Sequence, residues 1–487
     1  MQTALQTIAC PSCGAPLAFR SHASVMAVCE FCRATVVKDA GSVRDLGKMS
    51  EVLEDYSPIQ IGTSGSAGGR TFTVVGRIQL RYASGIWNEW FLLFDDGSNG
   101  WLGDSSGLYV ITTERPLEGS YPGFEMIRPG REVELEAGSF TAAEKRIARC
   151  IGGQGELPFR VGEGWEARVA DLRQGRAFVT LDYSDGDKPV LYGGSAVTLE
   201  QMGCQLLRDD EAIMASAGKY RGKASSLSCP QCGTSINYVP GVTANVICQN
   251  CRSELDAATP AVQVLKAGDA AAARHRFTIP LGSGATIVGR QVQVLGAMLR
   301  ADDEGNQWSE YLLFNPRAGF SWLVETDEGW WRADVMDDWP AAAGSSSVRL
   351  DGAAYTHLYD YTARVELALG AFNWKVAAGD SVRVSEYQQG QTRLAAELSA
   401  EEFTWSRSTR VSADQVRAWF GLDARAVPSP LAPAGAGATV GAQSGKFLIW
   451  LCCLNIVPLV VDFSGAAPWL LIGLLALVLP PRFIKNE

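Results

Sequence analysis

The sequence predicts a mainly β protein. It reads as a tandem duplication of a four-cysteine zinc ribbon plus a small curved β-sheet or open-barrel domain, with a C-terminal two-helix transmembrane hairpin. Three observations predict this. "CPSCG…CEFC", from Cys10 to Cys32, recurs with the same spacing as "CPQCG…CQNC", from Cys229 to Cys251. Strand-like blocks follow both clusters in the same order. Two apolar segments, 447–461 and 465–479, close the chain.

The 487 residues are too many for one core and suggest two or three domains. A hydrophobic share of 47% with 20% charged residues is that of a folded protein. The formal net charge is −10 and no basic block is present, which argues against nucleic acid as a partner. "MQTALQTIAC" offers neither the charged nor the apolar region of a secretion signal. The cysteines are therefore expected in a reducing compartment, as thiolates on metal.

Each ribbon begins at a C-P-x-C-G turn, where Gly14 or Gly233 lets the backbone fold back toward the metal. A second CxxC turn closes a tetrahedron. The expected ligands are Cys10, Cys13, Cys29 and Cys32 at the first site, and Cys229, Cys232, Cys248 and Cys251 at the second. Two structural Zn2+ ions follow, because four thiolates leave no open position for catalysis. Iron and disulfides fit the doubled spacing less well. "SVMAV" (24–28) and "TANVI" (243–247) read as ribbon strands. Cys150, Cys204, Cys452 and Cys453 read as small buried apolar residues.

The repeated blocks give the duplication. "TFTVVGRIQLRY" (71–82) answers "GATIVGRQVQVL" (284–295), which aligns Gly76-Arg77 with Gly289-Arg290. "WNEWFLLF" (87–94) answers "WSEYLLF" (308–314), and "GWL" (100–102) answers "SWL" (321–323). "VELEAGSF" (133–140) is set against "VELALGAF" (365–372), placing Phe140 on Phe372. "ARV" (167–169) matches "VRV" (382–384), and "VTLEQM" (197–202) matches "VSADQV" (411–416). The resulting order is ribbon 1 over 1–42, a helix and linker over 43–66, the first β-domain over 67–217, ribbon 2 over 225–262 and the second β-domain over 275–422. A flexible linker over 423–445 and the hairpin over 446–482 follow. Helical period is expected over 43–55, 198–214 and 412–421, with Ser412 and Gln415 forming a capping box. "GTSGSAGG" (62–69) reads as a loop, and "FDDGSNGWL" (94–102) as strand, turn and strand. The paired Trp87/Trp308 and Glu89/Glu310 either line a groove or serve the core, with Arg–Glu as a structural ion pair.

The CPxCG ribbon, "VVGRIQLRY", "WNEWFLLFDDG", "GWL", "LPFRVGEGWEARVADL" (157–172) and "FVTLDYSDG" (178–186), in that order, resemble bacterial proteins carrying domain of unknown function 4178. The second copy departs more, with "NPRAG" (315–319) in place of the Asp-Gly turn. The resemblance implies a link to membrane stress and carries over no catalytic residue.

Each closing segment is short for a bilayer span, yet neither has a polar face. Lys446, Arg482 and Lys485 flank the pair and Asp462 sits at its turn. This places both termini and both β-domains on the cytosolic side of a bacterial inner (cytoplasmic) membrane. No catalytic or cofactor-binding residue stands out, so the expectation leans away from an enzyme. The favoured reading is a membrane-anchored zinc-ribbon binding or scaffold protein with a protein partner and room for a small polar ligand. The alternative is an enzyme with its site in one β-domain and the other copy degenerate. A deep pocket of perturbed acidic groups in one copy would favour that alternative.

Overall fold

In the computed structural model, residues 6–423 are described apart from 22, 33, 40–41, 49–56, 83–84, 106, 160–164, 210–212, 214–228, 235–244, 257–262, 267–274, 316 and 345. The linker beyond 423 and the expected hairpin over 446–482 lie outside the described residues. Among the described residues, no helix is long and apolar enough to cross a membrane. The chain divides into two compact units. Met1–Thr326 with Trp331–Val411 holds both cysteine clusters and every barrel side chain discussed below. Asp327–Trp330 with Ser412–Glu487 is the other unit, and its described part contains the helix Ala413–Phe420.

Each copy closes into a ring of eight antiparallel strands, tighter than the expected open barrel. In the first, Arg70–Arg81, Ile86–Phe94, Asn99–Ser105, Leu108–Arg115, Val190–Val197, Ala177–Asp182, Glu166–Gln174 and Gly138–Leu157 pair in that order. Closure comes from the 20-residue strand Gly138–Leu157. Its first half pairs with Glu166–Gln174 and its second half with Arg70–Arg81. The second barrel repeats this with Arg290–Ala301, Gln307–Asn315, Gly319–Thr326, Gly329–Val335, Phe403–Val411, Thr392–Leu398, Ser381–Gln389 and Ala353–Phe372. Closing the ring removes the free edges a curved sheet would expose.

The closing seam requires glycine. Gly76 pairs with Gly155 at a bulge, and a Cβ on Gly76 would stand 1.7 Å from the Glu156 carbonyl oxygen. Gly155 has φ +65°. Gly296 and Gly370 (φ +93°) form the same crossing in the second barrel.

These crossings set the true register of the repeat. Trp87 falls on Trp308, Glu89 on Glu310, Trp101 on Trp322 and Arg168 on Arg383, as the sequence blocks have it. Two blocks are corrected. Gly76 corresponds to Gly296; Gly289-Arg290 lies at the preceding hairpin turn, the place of Gly69-Arg70. Phe140 corresponds to Tyr355, since Val133–Phe140 and Val348–Tyr355 pair alike; Phe372 corresponds to Leu157. Apolar–polar alternation recurs along any half-buried strand, so a V-E-L match alone cannot fix register.

Three local expectations also change. Ser42–Lys48 is a strand paired with Ala34–Asp39, not the start of a helix over 43–55. Pairing beside the ribbon overrides a weak helical period. Over 198–209 the chain makes one turn at Leu199–Gly203 rather than a helix, while Ile213 is helical, its N–H on Asp209 O at 2.9 Å. Ser64–Ala67 inside "GTSGSAGG" is a strand paired with Arg70–Thr73. The helix Ala413–Phe420 forms as expected: Ser412 and Gln415 make a reciprocal capping box, and Gly421 ends the helix at φ 60°. Thr198 and Gln201 make the same box at the equivalent turn in copy one.

Candidate functional site

The two cysteine clusters have matching geometry. Sγ–Sγ distances are 3.6 Å for Cys10–Cys32 and 3.7 Å for Cys13–Cys29, and again 3.6 Å for Cys229–Cys251 and 3.7 Å for Cys232–Cys248. Within each group all four sulfurs lie within 4.8 Å of one another. A tetrahedron with metal–sulfur bonds of about 2.3 Å has edges of about 3.8 Å, so both groups could hold a metal ion. These separations are far beyond a disulfide bond of about 2.05 Å. The turns are tied by Gly14 N–H to Cys10 O and Gly233 N–H to Cys229 O, both 2.8 Å, with φ +75° and +74° at the glycines.

Each ribbon is docked on the closing strand of its barrel. Met26–Val28 pairs with Gly155–Leu157, and Asn245–Ile247 with Gly370–Phe372. Ribbon 1 has an added clamp. The buried Glu156 carboxylate accepts from Arg20 N (2.7 Å), Ser21 N (3.1 Å) and Ser24 Oγ (2.8 Å), with Arg20 Nη1 at 3.4 Å. Ala371 takes that position in copy two. Arg20 is thus a docking residue.

The first barrel encloses a cavity of about 180 Å³. Every strand of its ring contributes a lining side chain: Leu80, Trp87 with Glu89, Trp101, Val110, Arg146, Asp171, Asp182 and Tyr192 are examples. This follows from the period of two, which turns alternate residues inward. Met336, Trp339 and Glu402 from copy two complete the wall.

The cavity is strongly acidic. Burial pushes Glu89 up to about 7, against the hydrogen bond from Trp87 Nε1 at 2.9 Å; Asp182, Asp104 and Glu144 add to the rise. Burial and then Glu144 hold Asp171 well above the usual carboxylate range, although Thr180 Oγ1 donates to it at 2.6 Å. Asp182 is raised by burial as well, and Glu402 is pushed up to about 7 by burial and by Glu144. Two arginines face this set, and both have partners. Burial works against the Arg146 cation, but Glu144 together with Tyr82, Glu402 and Asp171 outweighs that and raises its pKa. Arg146 also stacks 4.3 Å from the Tyr82 ring. Arg173 lies over Phe178 at 5.0 Å and Trp339 at 5.5 Å. Aromatic rings line one side: Trp101 sits 5.7 Å from Phe159, which stacks 5.3 Å from Trp165.

The second barrel carries larger, mutually bonded groups at the matching places. Leu80 is replaced by Arg300, Gly103 by Val324 and Arg146 by Tyr361. Arg300 Nη1 lies 3.1 Å from Glu310 and 3.5 Å from Glu397. Tyr361 donates to Glu386 at 2.8 Å. The sequence pairs Trp87 with Trp308 and Glu89 with Glu310, and the same indole–carboxylate hydrogen bond indeed recurs, at 2.7 Å in the second copy. The structural ion pair expected of the shared Arg–Glu is Arg300–Glu310, not one made by Arg290. Sequence reading did not find Arg146, Asp171, Asp182 or Glu402. Their signal is charge at inward positions of strands, visible only once register is known.

The chain belongs to the family defined by a domain of unknown function, DUF4178, which matches twice, over 60–198 and 280–413. Together the two matches cover more than half of the chain and fall on the two barrels. Neither the curated proteins nor the solved structures include a match.

Proposed function

We propose that this chain is a zinc-ribbon binding protein whose first barrel takes a small polar ligand, while the second barrel is a filled copy that supports it. The carrying observation is the lined cavity of about 180 Å³ in barrel one, beside self-paired groups at the matching positions of barrel two. Eight-stranded rings are about the size that encloses one small ligand. Zinc is the metal that fits four thiolates with no open position, and its role here is to fix the ribbons. Cys10, Cys13, Cys29 and Cys32 would hold one ion, and Cys229, Cys232, Cys248 and Cys251 the other.

The tail over 446–482 anchors the protein to a cytoplasmic membrane, with both barrels and both termini cytosolic, where a protein partner can meet them. The apolar segments and their Lys446, Arg482 and Lys485 flanks support this. A link to membrane stress would follow from that placement. Native mass spectrometry of the purified full chain tests the ligand: a bound small molecule is expected in wild type and absent in Leu80→Arg. Elemental analysis should find two zinc ions per chain. Deleting residues 446–487 should move the protein from the membrane to the soluble fraction; full-length protein in the soluble fraction would overturn the anchor.

A second reading, catalysis in barrel one, is favoured by one feature. Glu144 and Asp171 oppose each other across paired strands and interact directly, while Glu402 joins them from copy two. Such a group can hold and pass a proton.

A further inference from the structure

We infer that the ligand of barrel one is a small organic cation, a guanidinium or alkylammonium group, seated between Glu89 and Asp182 against Trp87. This rests on the binding reading above and names its ligand class. The second barrel supplies the argument, because it contains such a cation as part of its own chain. Arg300 enters where barrel one has Leu80. Its Nη1 is 3.1 Å from Glu310 and 3.5 Å from Glu397, and its Cζ stands 6.0 Å from the Trp308 ring centre. Carboxylate pair and indole are both kept in barrel one. Glu89 and Trp87 match Glu310 and Trp308, and Asp182 matches Glu397, since each pairs with the equivalent valine, Val169 or Val384. Only the guanidinium is missing, and leucine leaves its space open to the cavity.

Among the described residues, neither Glu89 nor Asp182 has a cation partner. Arg146 is committed to Glu144, and Arg173 to its aromatic neighbours. Two partly desolvated carboxylates without a cation favour binding of one, because each recovers in the bound state the charge partner that burial denies it. The aromatic side of the cavity suits the same ligand, since indole faces attract cations and pack against their alkyl parts. A neutral or anionic ligand would leave the carboxylates unpaired or repelled.

The test is tryptophan fluorescence titration of the full chain at pH 8 with methylguanidinium, n-propylammonium, the neutral isostere N-methylurea, and acetate. Trp87, Trp101 and Trp165 line the cavity and report occupancy. Saturable binding of methylguanidinium or n-propylammonium is expected, weakened about tenfold or more in Glu89→Gln, as loss of a charge-assisted hydrogen bond implies. Leu80→Arg should abolish it by supplying the cation in cis. Glu89→Gln is nearly isosteric and guards against Leu80→Arg simply failing to fold. If N-methylurea binds as well as the cations and Glu89→Gln has no effect, the cavity is a ligand site but the cation assignment is wrong. If no probe binds and wild type matches Leu80→Arg, both this inference and the ligand-binding reading fall.

Discussion

The two barrels share strand order, seam glycines and an indole–carboxylate hydrogen bond, yet they differ in how buried charge is neutralised. In barrel two, Arg300 bridges Glu310 and Glu397 within the chain. In barrel one, Leu80 stands there and the carboxylates face a cavity. The ribbons differ in the opposite sense: Glu156 clamps ribbon 1, and Ala371 offers ribbon 2 no such group. Duplication thus preserved the backbone while the interior charges diverged. In one copy the matching carboxylates are bridged within the chain, and in the other they line a cavity.

The largest effect should come from the metal sites. Cys10→Ser or Cys229→Ser should each remove one of two metal ions, with binding energy on the order of 10 kcal/mol at stake locally. Metal content by elemental analysis, with limited proteolysis of each ribbon, checks this. Loss of both ions from a single substitution would mean the ribbons are not independent.

Next is the clamp that separates the two ribbons. Glu156→Ala removes a buried carboxylate that accepts several hydrogen bonds, and should cost about 3 kcal/mol in chemical denaturation. Without an equivalent residue, ribbon 2 should keep its hydrogen-exchange protection in that variant. Equal loss at both ribbons would contradict the proposed difference.

A smaller effect is the pH response of the cavity. Burial, and after it Asp182, Asp104 and Glu144, pushes Glu89 up to about 7, whereas an unfolded glutamate loses its proton near 4.5. Between those values the native state binds more protons than the unfolded chain. Its contribution to stability therefore falls as pH rises through that window. Thermal melts from pH 4.5 to 8 should show this fall reduced in Glu89→Gln. An unchanged slope would remove Glu89 from the account.

The smallest effect tests what the copies share. Thr198→Ala and Ser412→Ala each delete a capping box and should cost about 1 kcal/mol by denaturation. A marked inequality would show that the boxes are not equivalent.

Much of the scaffold was legible in the sequence. The ribbons were, because metal spacing needs only a few residues in a row. So was the duplication, because Trp87/Trp308 and "GWL"/"SWL" sit on strands whose period is unmistakable. The helix Ala413–Phe420 was marked by its cap. The shifted blocks failed because alternating strands look alike when slid along each other, and only the Gly76–Gly155 crossing fixes them. The cavity was hidden for the same reason. Glu89, Asp171 and Asp182 stand on separate strands, and nothing local says that they face one another. Leu80 in place of Arg300 becomes informative only after the two barrels are aligned.

The central claim is that Arg300 neutralises in barrel two what is left unneutralised in barrel one. Urea denaturation of Arg300→Leu at pH 8 and pH 5 tests it most directly. Removing the guanidinium leaves the buried Glu310 and the part-buried Glu397 without it. The account predicts a loss of about 3–5 kcal/mol at pH 8, shrinking at pH 5 as Glu397, raised by burial, takes up a proton. A near-neutral Arg300→Leu at pH 8, or a loss that does not shrink on acidification, would contradict it.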